Sequence, residues 1–232
     1  MANLNNRSFE HEQMDDPAID PAVYAQVLSD LARVNRWTLT ARPALRFLAR
    51  ATRGLREFSL LDVGFGHGDT LRTIARWAGR RGIKARLAGV DLNPLSETIA
   101  RAASPDDLAI DFRTGDYGDQ PERFDFIISS QVAHHMSAPQ LQDFLRFMEA
   151  ETVRGWLVSD LNRHVVPHMA FPLLARLMRV HRIVREDGTL SIARAIRAGE
   201  WCVILADAGI APDSVRIRHY VPFRLSLERV FD

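Results

Sequence analysis

Residues 60–70, LLDVGFGHGDT, constrain this chain more than any other stretch. An apolar run ends in Asp62, and three glycines follow at alternate positions, Gly64, Gly66 and Gly68. The run reads as a buried parallel strand, the glycines as a tight turn, and LRTIARWAGRRG as the helix behind it. Glycine is needed where the backbone turns sharply and lets a ligand approach closely. A dinucleotide fingerprint reads G-x-G-x-x-G. Counted from Gly64, its third glycine falls on Asp69, so the pattern here is acid-x-Gly-x-Gly-x-Gly instead.

The rest of the chain keeps the same rhythm. Strands are predicted over 58–63, 86–92, 109–114, 124–129 and 156–160, with helices over 70–81, 94–103 and 139–151. This alternation argues for an open parallel sheet with helices on both faces. Ahead of it, residues 1–17 read as a polar, partly flexible lead-in, and 20–36 and 38–53 as two helices with apolar stripes. Residues 161–197 are too long for a plain crossover; 167–184 reads as a helix or a broken pair around Pro172. A helix over 200–208, with Gly209 as its C-cap, precedes strands over 214–221 and 223–230 that turn at Pro222. The expected organisation is one domain over 1–232: a helical segment (1–57), a core (58–160), an inserted cap (161–197), and a closing helix and hairpin (198–232).

Composition excludes several classes. With 47% hydrophobic and 25% charged residues, the chain fits an ordinary globular protein. A net charge of +1 leaves no electrostatic footprint for nucleic acid. The single cysteine, Cys202, rules out an internal disulfide framework and sits in an apolar run, where a small buried core residue is expected. There is no apolar leader at the start and no stretch of 18 apolar residues, so the cytoplasm is the expected location, without membrane insertion.

Further positions join the glycine turn. Asp91 ends the second strand, where a carboxylate can accept both hydroxyls of a ribose. Alone it serves dehydrogenases equally, or caps the helix that starts at Pro94. Asp116, in FRTGDY, is by itself compatible with a simple turn residue. Together, each ends a predicted strand on the carboxyl side, where open α/β sheets bind ligands. The set resembles that of the class I S-adenosylmethionine (SAM) dependent methyltransferases, with residues 60–70 as motif I and FDFIISSQVAHH, residues 124–135, as motif IV. That resemblance implies a Rossmann-like, seven-stranded, mostly parallel sheet whose last strand is antiparallel. Helices cover both faces, and a helical cap follows strand five. It also implies the cofactor, SAM. Asp62 then lies near the methionine amino group and the amides of Gly64, Gly66 and Gly68 near its carboxylate, at a helix N-terminus that favours anions. Asp91 serves the ribose, Asp116 and the Tyr117 amide the adenine, and Leu92 is a further cofactor-binding candidate. Gln131, at the edge formed by motif IV, is a further cofactor-binding candidate.

A finer resemblance runs through HEQMDDP, NRWTLTARPALRFLAR, HHM, SDLNRH, EDGTLSIARAIRAGEW and VPFRLSL. These blocks look like the bacterial methyltransferases associated with type III polyketide synthases. It implies O-methylation of a phenolic, lipid-tailed small molecule, with His134 and His135 as candidate bases. The sequence departs from the pattern at Glu186, where a histidine is expected. Carbon methylation of a quinone or phenol, and a non-catalytic SAM-binding role, are the alternatives. An Asn-Pro-Pro-Tyr type motif, as used for amino methylation of bases, is missing after the fourth strand, where SSQV stands. No metal site is expected: adjacent histidines are not a usual ligand spacing, and no thiol cluster supports them. His164, His168 and His181 share no ligand pattern, though His168 is placed where it can face substrate. The apolar helix around 167–184, edged by Arg176, Arg179 and Arg182, reads as a pocket cap, a membrane-surface helix or plain core. Met14 and Trp37 are candidate lining residues. Oligomeric state is open.

Overall fold

The computed structural model describes residues 4–231; the first three residues of the lead-in and Asp232 lie outside them. Seven strands form one sheet in the order β3-β2-β1-β4-β5-β7-β6. They are β1 Glu57–Val63, β2 Lys84–Asp91, β3 Ile110–Thr114, β4 Phe124–Ser130, β5 Thr152–Leu161, β6 Arg216–Tyr220 and β7 Arg224–Val230. Strands β1 to β5 pair in parallel, and β7 runs antiparallel to both β5 and β6. The expected Rossmann-like, mostly parallel sheet is therefore present, with the antiparallel strand lying between β5 and β6.

Strand β1 shows why this sheet is buried on both faces. Its alternate side chains Phe58 and Leu60 join one core, with Phe47, Leu71, Ile74, Trp77 and Phe126. Leu61 and Val63 join the other, with Phe144, Met148, Trp156 and Trp201. A parallel strand covered on both sides reads as a continuous apolar run, which is how it is recognisable in sequence. The covering helices are α1 Pro21–Trp37, α2 Arg42–Ala51, α3 Asp69–Arg80, α4 Pro94–Ala102, α5 Ala138–Glu151, α6 Val165–Leu177, α7 Arg182–Arg194 and α8 Ala198–Asp207. None is long and apolar enough to cross a membrane, among the described residues.

Four expectations are corrected. The second helix begins at Arg42, because residues 38–41 form a turn in which Leu39 has φ 56°. The segment after β5 is two helices, as the broken-pair reading allowed, but Pro172 lies inside α6 and the break comes after Leu177, with α7 extending to Arg194 through Gly188; its mixed polarity conceals it from a periodicity argument. Cys202 is exposed, because α8 turns Trp201 and Leu205 inward, leaving the next position facing solvent. The lead-in, read as partly flexible, is strapped across the carboxyl edge of the sheet. Arg7 donates to the carbonyls of His134 (2.9 Å), Met136 (2.7 Å) and Arg194 (2.8 Å). The amides of Gln13 and Met14 donate to the Asp187 carboxylate at 3.1 and 2.9 Å. Polar composition alone does not reveal such partners.

Candidate active site

The carboxyl ends of β1, β2, β4 and β5 open into a cavity of about 1090 Å³. Single small-ligand sites run at roughly 300–1,000 Å³, so this one has room for two ligands side by side. Its floor is the glycine turn, its walls are the lead-in and α1, and its roof is α6 and α7.

The turn after β1 is built for close approach. Gly64 has φ 75°, and a Cβ there would meet Val132 Cγ2 at 2.3 Å. Gly68 has φ 76° and caps α3; a Cβ there would meet the Phe112 ring at 2.8 Å. Gly64 and Gly66 line the cavity, whereas Gly68 serves helix–sheet packing behind it. Asp62, 2% exposed, reaches the floor with an Oδ1 that has no hydrogen-bond partner. Burial, with Asp69 and Asp91 nearby, pushes its carboxyl well above the ordinary range. Asp91 Oδ2 accepts from the Gly66 amide and Oδ1 from the Asn93 amide, both at 2.9 Å. Burial raises this carboxyl as well, against those hydrogen bonds. Leu92 beside it is exposed into the same space.

The remaining sequence candidates divide. Gly115 and Tyr117 line the cavity. Asp116 does not stand in its wall: Oδ1 accepts from the Gly118 amide at 2.7 Å, so the turn role is realised there. Gln131 lines the site in a left-handed conformation, φ 61°, and bridges two elements. Its Nε2 donates to Asn35 Oδ1 at 2.9 Å, and its Oε1 accepts from Arg224 at 3.0 Å. Met14 is in the wall; Trp37 is 76% exposed and outside it, as is His168.

His134 and His135 sit in a short turn after β4, with ring centroids 4.3 Å apart. His134 is buried, its Nδ1 2.8 Å from Asp160 Oδ1 and its amide 2.9 Å from Asp160 Oδ2. His135 is partly exposed, its Nδ1 2.8 Å from Asp15 Oδ2. Burial opposes ionisation of both aspartates, yet each is held below the ordinary carboxylate range by its histidine. Both rings also face Glu12, which is 3% exposed and takes a hydrogen bond from Ser191 at 2.9 Å. Burial lifts Glu12 to about 7, although His135 pulls it down.

Sequence reasoning passed over Glu12, Asp15, Asp160 and Arg224. Arg224 is buried, with a guanidinium that donates to Thr38, Thr40 and Gln131 and an Nε without a partner. Burial lowers its pKa to about 10, against Asp160 and Asp69. For Asp160 a signal was available: it is a third acid at the carboxyl end of a parallel strand, after Asp62 and Asp91. Glu12 and Asp15 lie in the HEQMDDP block, but nothing local gives them a role.

Residues 60–152 match the family model of a methyltransferase domain. This stretch is similar to a methyltransferase domain. It runs from β1 to the start of β5, and so includes the glycine turn, Asp91 and the two histidines. Among curated proteins none matches the chain. Solved structures share its fold. The magnesium protoporphyrin IX methyltransferase of Synechocystis PCC 6803 with bound SAH is 16% identical, TM-score 0.59, covering 94% of this chain and 90% of that one. The plantazolicin methyltransferase BpumL, with a triazolic desmethylPZN analogue and SAH, is 13% identical, TM-score 0.65, covering 91% of this chain and 95% of that one. Human N-acetylserotonin methyltransferase in complex with SAM is 16% identical, TM-score 0.63, covering 90% of this chain and 56% of that one. At these identities the likeness is one of fold. It covers more of the chain than residues 60–152.

Proposed function

We propose that the protein is a SAM-dependent methyltransferase that methylates an oxygen of a small phenolic acceptor. One observation carries the donor half: the buried Asp62 carboxylate whose Oδ1 lacks a partner, set in the floor beside the glycine turn. A buried polar atom left unpaired costs free energy until a ligand satisfies it. The ammonium of a methionine moiety fits that vacancy in charge and donor capacity. The amides following Gly64, at the N-terminus of α3, suit its carboxylate, and Asp91 retains acceptor capacity for a ribose diol. Leu92, Gly115 and Tyr117 would border the adenine. When bound, SAM supplies a methyl group on a sulfonium, ready for in-line displacement.

The chain's own residues do the rest. Proximity carries much of such a reaction, so the cavity's main task is to hold the acceptor in line. Phe171, Leu174, Val184 and Ile192 supply apolar roof contacts suited to an aromatic or lipid-tailed molecule. A phenol has a pKa of about 10, so its proton needs a destination. His135, oriented by Asp15 and open to the cavity, presents its Nε2 for that purpose. His134 is held more rigidly by Asp160 and supports the same edge.

A thermal-shift series with SAM, S-adenosylhomocysteine (SAH) and NAD tests the donor. Incubation with labelled SAM and a panel of phenols tests the acceptor. A shift with NAD alone refutes the donor reading, and label in no phenol refutes the acceptor reading.

A further inference from the structure

Nδ1 of His134 and Nδ1 of His135 each lie 2.8 Å from a carboxylate oxygen, of Asp160 and Asp15 respectively. An ionised carboxylate only accepts, so both Nδ1 atoms carry a proton, and in the neutral ring that a metal ion requires both Nε2 atoms present lone pairs. Those lone pairs face a third carboxylate. His134 Nε2 is 3.6 Å from Glu12 Oε1, and His135 Nε2 is 3.8 Å from Glu12 Oε2. Hydrogen bonds of this kind span about 2.7–3.2 Å. The gaps are therefore too long for a hydrogen bond, and the two ring nitrogens and the carboxylate face a common point.

That spacing suits a metal ion. Two ligand atoms each about 2.1 Å from one tetrahedral ion stand roughly 3.4 Å apart. The ligand atoms of Glu12, His134 and His135 all lie within 4.8 Å of one another, and a small swing of the partly exposed His135 ring closes the remainder. All three residues line the cavity, so further coordination positions open toward a ligand. Metal-bound histidines almost always give their other ring nitrogen to a carboxylate, carbonyl or water. Asp160 and Asp15 already occupy that outer position. The surrounding charge also permits a cation. The carboxylates of Glu12, Asp15 and Asp160 stand against the guanidiniums of Arg194, 3.9 Å from Glu12 Oε1, and Arg7, bound to nearby carbonyls. One negative charge is left over. The three residues are not adjacent in sequence, because Glu12 comes from the lead-in, far from the HHM motif.

We propose that Glu12 and the Nε2 atoms of His134 and His135 bind a first-row divalent cation, with zinc the tightest of those commonly available to such a site. Two imidazoles and a carboxylate select zinc, iron or manganese over magnesium and calcium. Binding does not depend on the proposed reaction. Its consequence does: resting on the methyltransferase reading, a bound ion would occupy the His135 Nε2 lone pair in place of the phenol proton, draw in the acceptor oxygen and lower that group's pKa, so that His135 would act through the ion and not as a free base.

Full-length protein stripped with a chelator and dialysed is titrated with Zn²⁺ by calorimetry, and with Co²⁺ by visible absorption. One zinc per chain is expected, with cobalt d–d bands and no displacement by excess Mg²⁺. Glu12→Gln and His135→Ala should each weaken zinc by at least about tenfold, and Asp15→Asn by about 10–100-fold. The SAH-induced thermal shift should survive in every variant, which separates loss of a ligand from loss of the fold. Failure of wild-type protein to bind zinc, or to give cobalt bands, overturns the proposal whatever the variants do. So does unchanged zinc affinity in the Glu12→Gln/His135→Ala double variant. Zinc bound at this site while no acceptor is methylated refutes the acceptor reading and upholds the metal site.

Discussion

Replacing Asp62 with Asn separates what this carboxylate does for the fold from what it does for the donor. The swap is nearly isosteric and keeps Oδ1 as an acceptor in the floor. In the ligand-free protein, burial, Asp69 and Asp91 raise the Asp62 carboxyl far above its unfolded value. The native state therefore holds more protons there than the unfolded state. Stability falls as pH rises from the ordinary carboxylate range, about 3.9, toward the raised native pKa. At neutral pH the charge opposes folding, so Asp62→Asn should raise the Tm of the ligand-free protein, with little effect near pH 4. Donor binding should move the other way. A hydrogen bond to a charged group contributes about 1.5–3 kcal/mol, so SAH affinity should drop roughly 10–150-fold. With SAH at 100 times the wild-type Kd, binding stabilises the wild type by about 2.7 kcal/mol. For a chain of this size that is a Tm rise of roughly 5–11 °C. A 30-fold weaker variant at the same concentration retains about 0.9 kcal/mol, or roughly 2–3.5 °C. Differential scanning fluorimetry at pH 7.5 and pH 4.5, with and without SAH, reads all four quantities. A variant less stable than wild type without ligand, or one with an undiminished SAH shift, would sink the assignment.

Two further outcomes follow from the same geometry. Gly68→Ala places a side chain at φ 76° and 2.8 Å from the Phe112 ring. A left-handed residue costs about 1–2 kcal/mol and overpacking about 1–3 kcal/mol, so urea unfolding should show a loss of roughly 2–5 kcal/mol; a loss below about 1 kcal/mol would mean that α3 slides freely against β3. His135→Ala should cut turnover about 10²–10⁴-fold with SAH affinity intact by calorimetry; full activity in the variant removes the histidine from the acceptor step.

The residues proposed to hold the donor were legible in sequence because they are local. Asp62, the glycine turn and the N-terminus of α3 lie within one strand–turn–helix unit, and Asp91 ends the neighbouring strand. Parallel sheets put such ends side by side, so pattern alone assembles them. The acceptor half is assembled by long-range contacts that leave no periodic trace. Glu12 reaches His134 only because Arg7, Asp187 and Arg194 tie the lead-in down. Gln131 is held by Asn35 and Arg224, which come from opposite ends of the chain. At Asp116, expected beside the adenine, one carboxylate oxygen is used in its own turn. Cys202 shows that an apolar run on a surface helix fixes composition without fixing which residue faces in.

The roof offers a way to perturb the acceptor without touching the donor. Gly188 lies mid-way along α7, where Ala would favour the helix by up to about 1 kcal/mol. A Cβ there, however, falls 2.3 Å from Phe171 Cε1 and 2.6 Å from Cζ. The obstacle is a side-chain ring on α6, so the ring moves and the backbone need not. Phe171 lines the cavity, and its displacement reshapes the roof while the glycine turn and Asp62 stay as they are. Overpacking of this kind costs about 1–3 kcal/mol, partly offset by the helix preference, so the Tm should fall by no more than roughly 8 °C. The KM for the best phenol should rise, and the Kd for SAH should not. Equal losses in both would mean that α6 and α7 brace the whole cavity. A loss confined to the acceptor makes the roof the element that selects it, with Phe171 as the contact that Gly188 leaves room for.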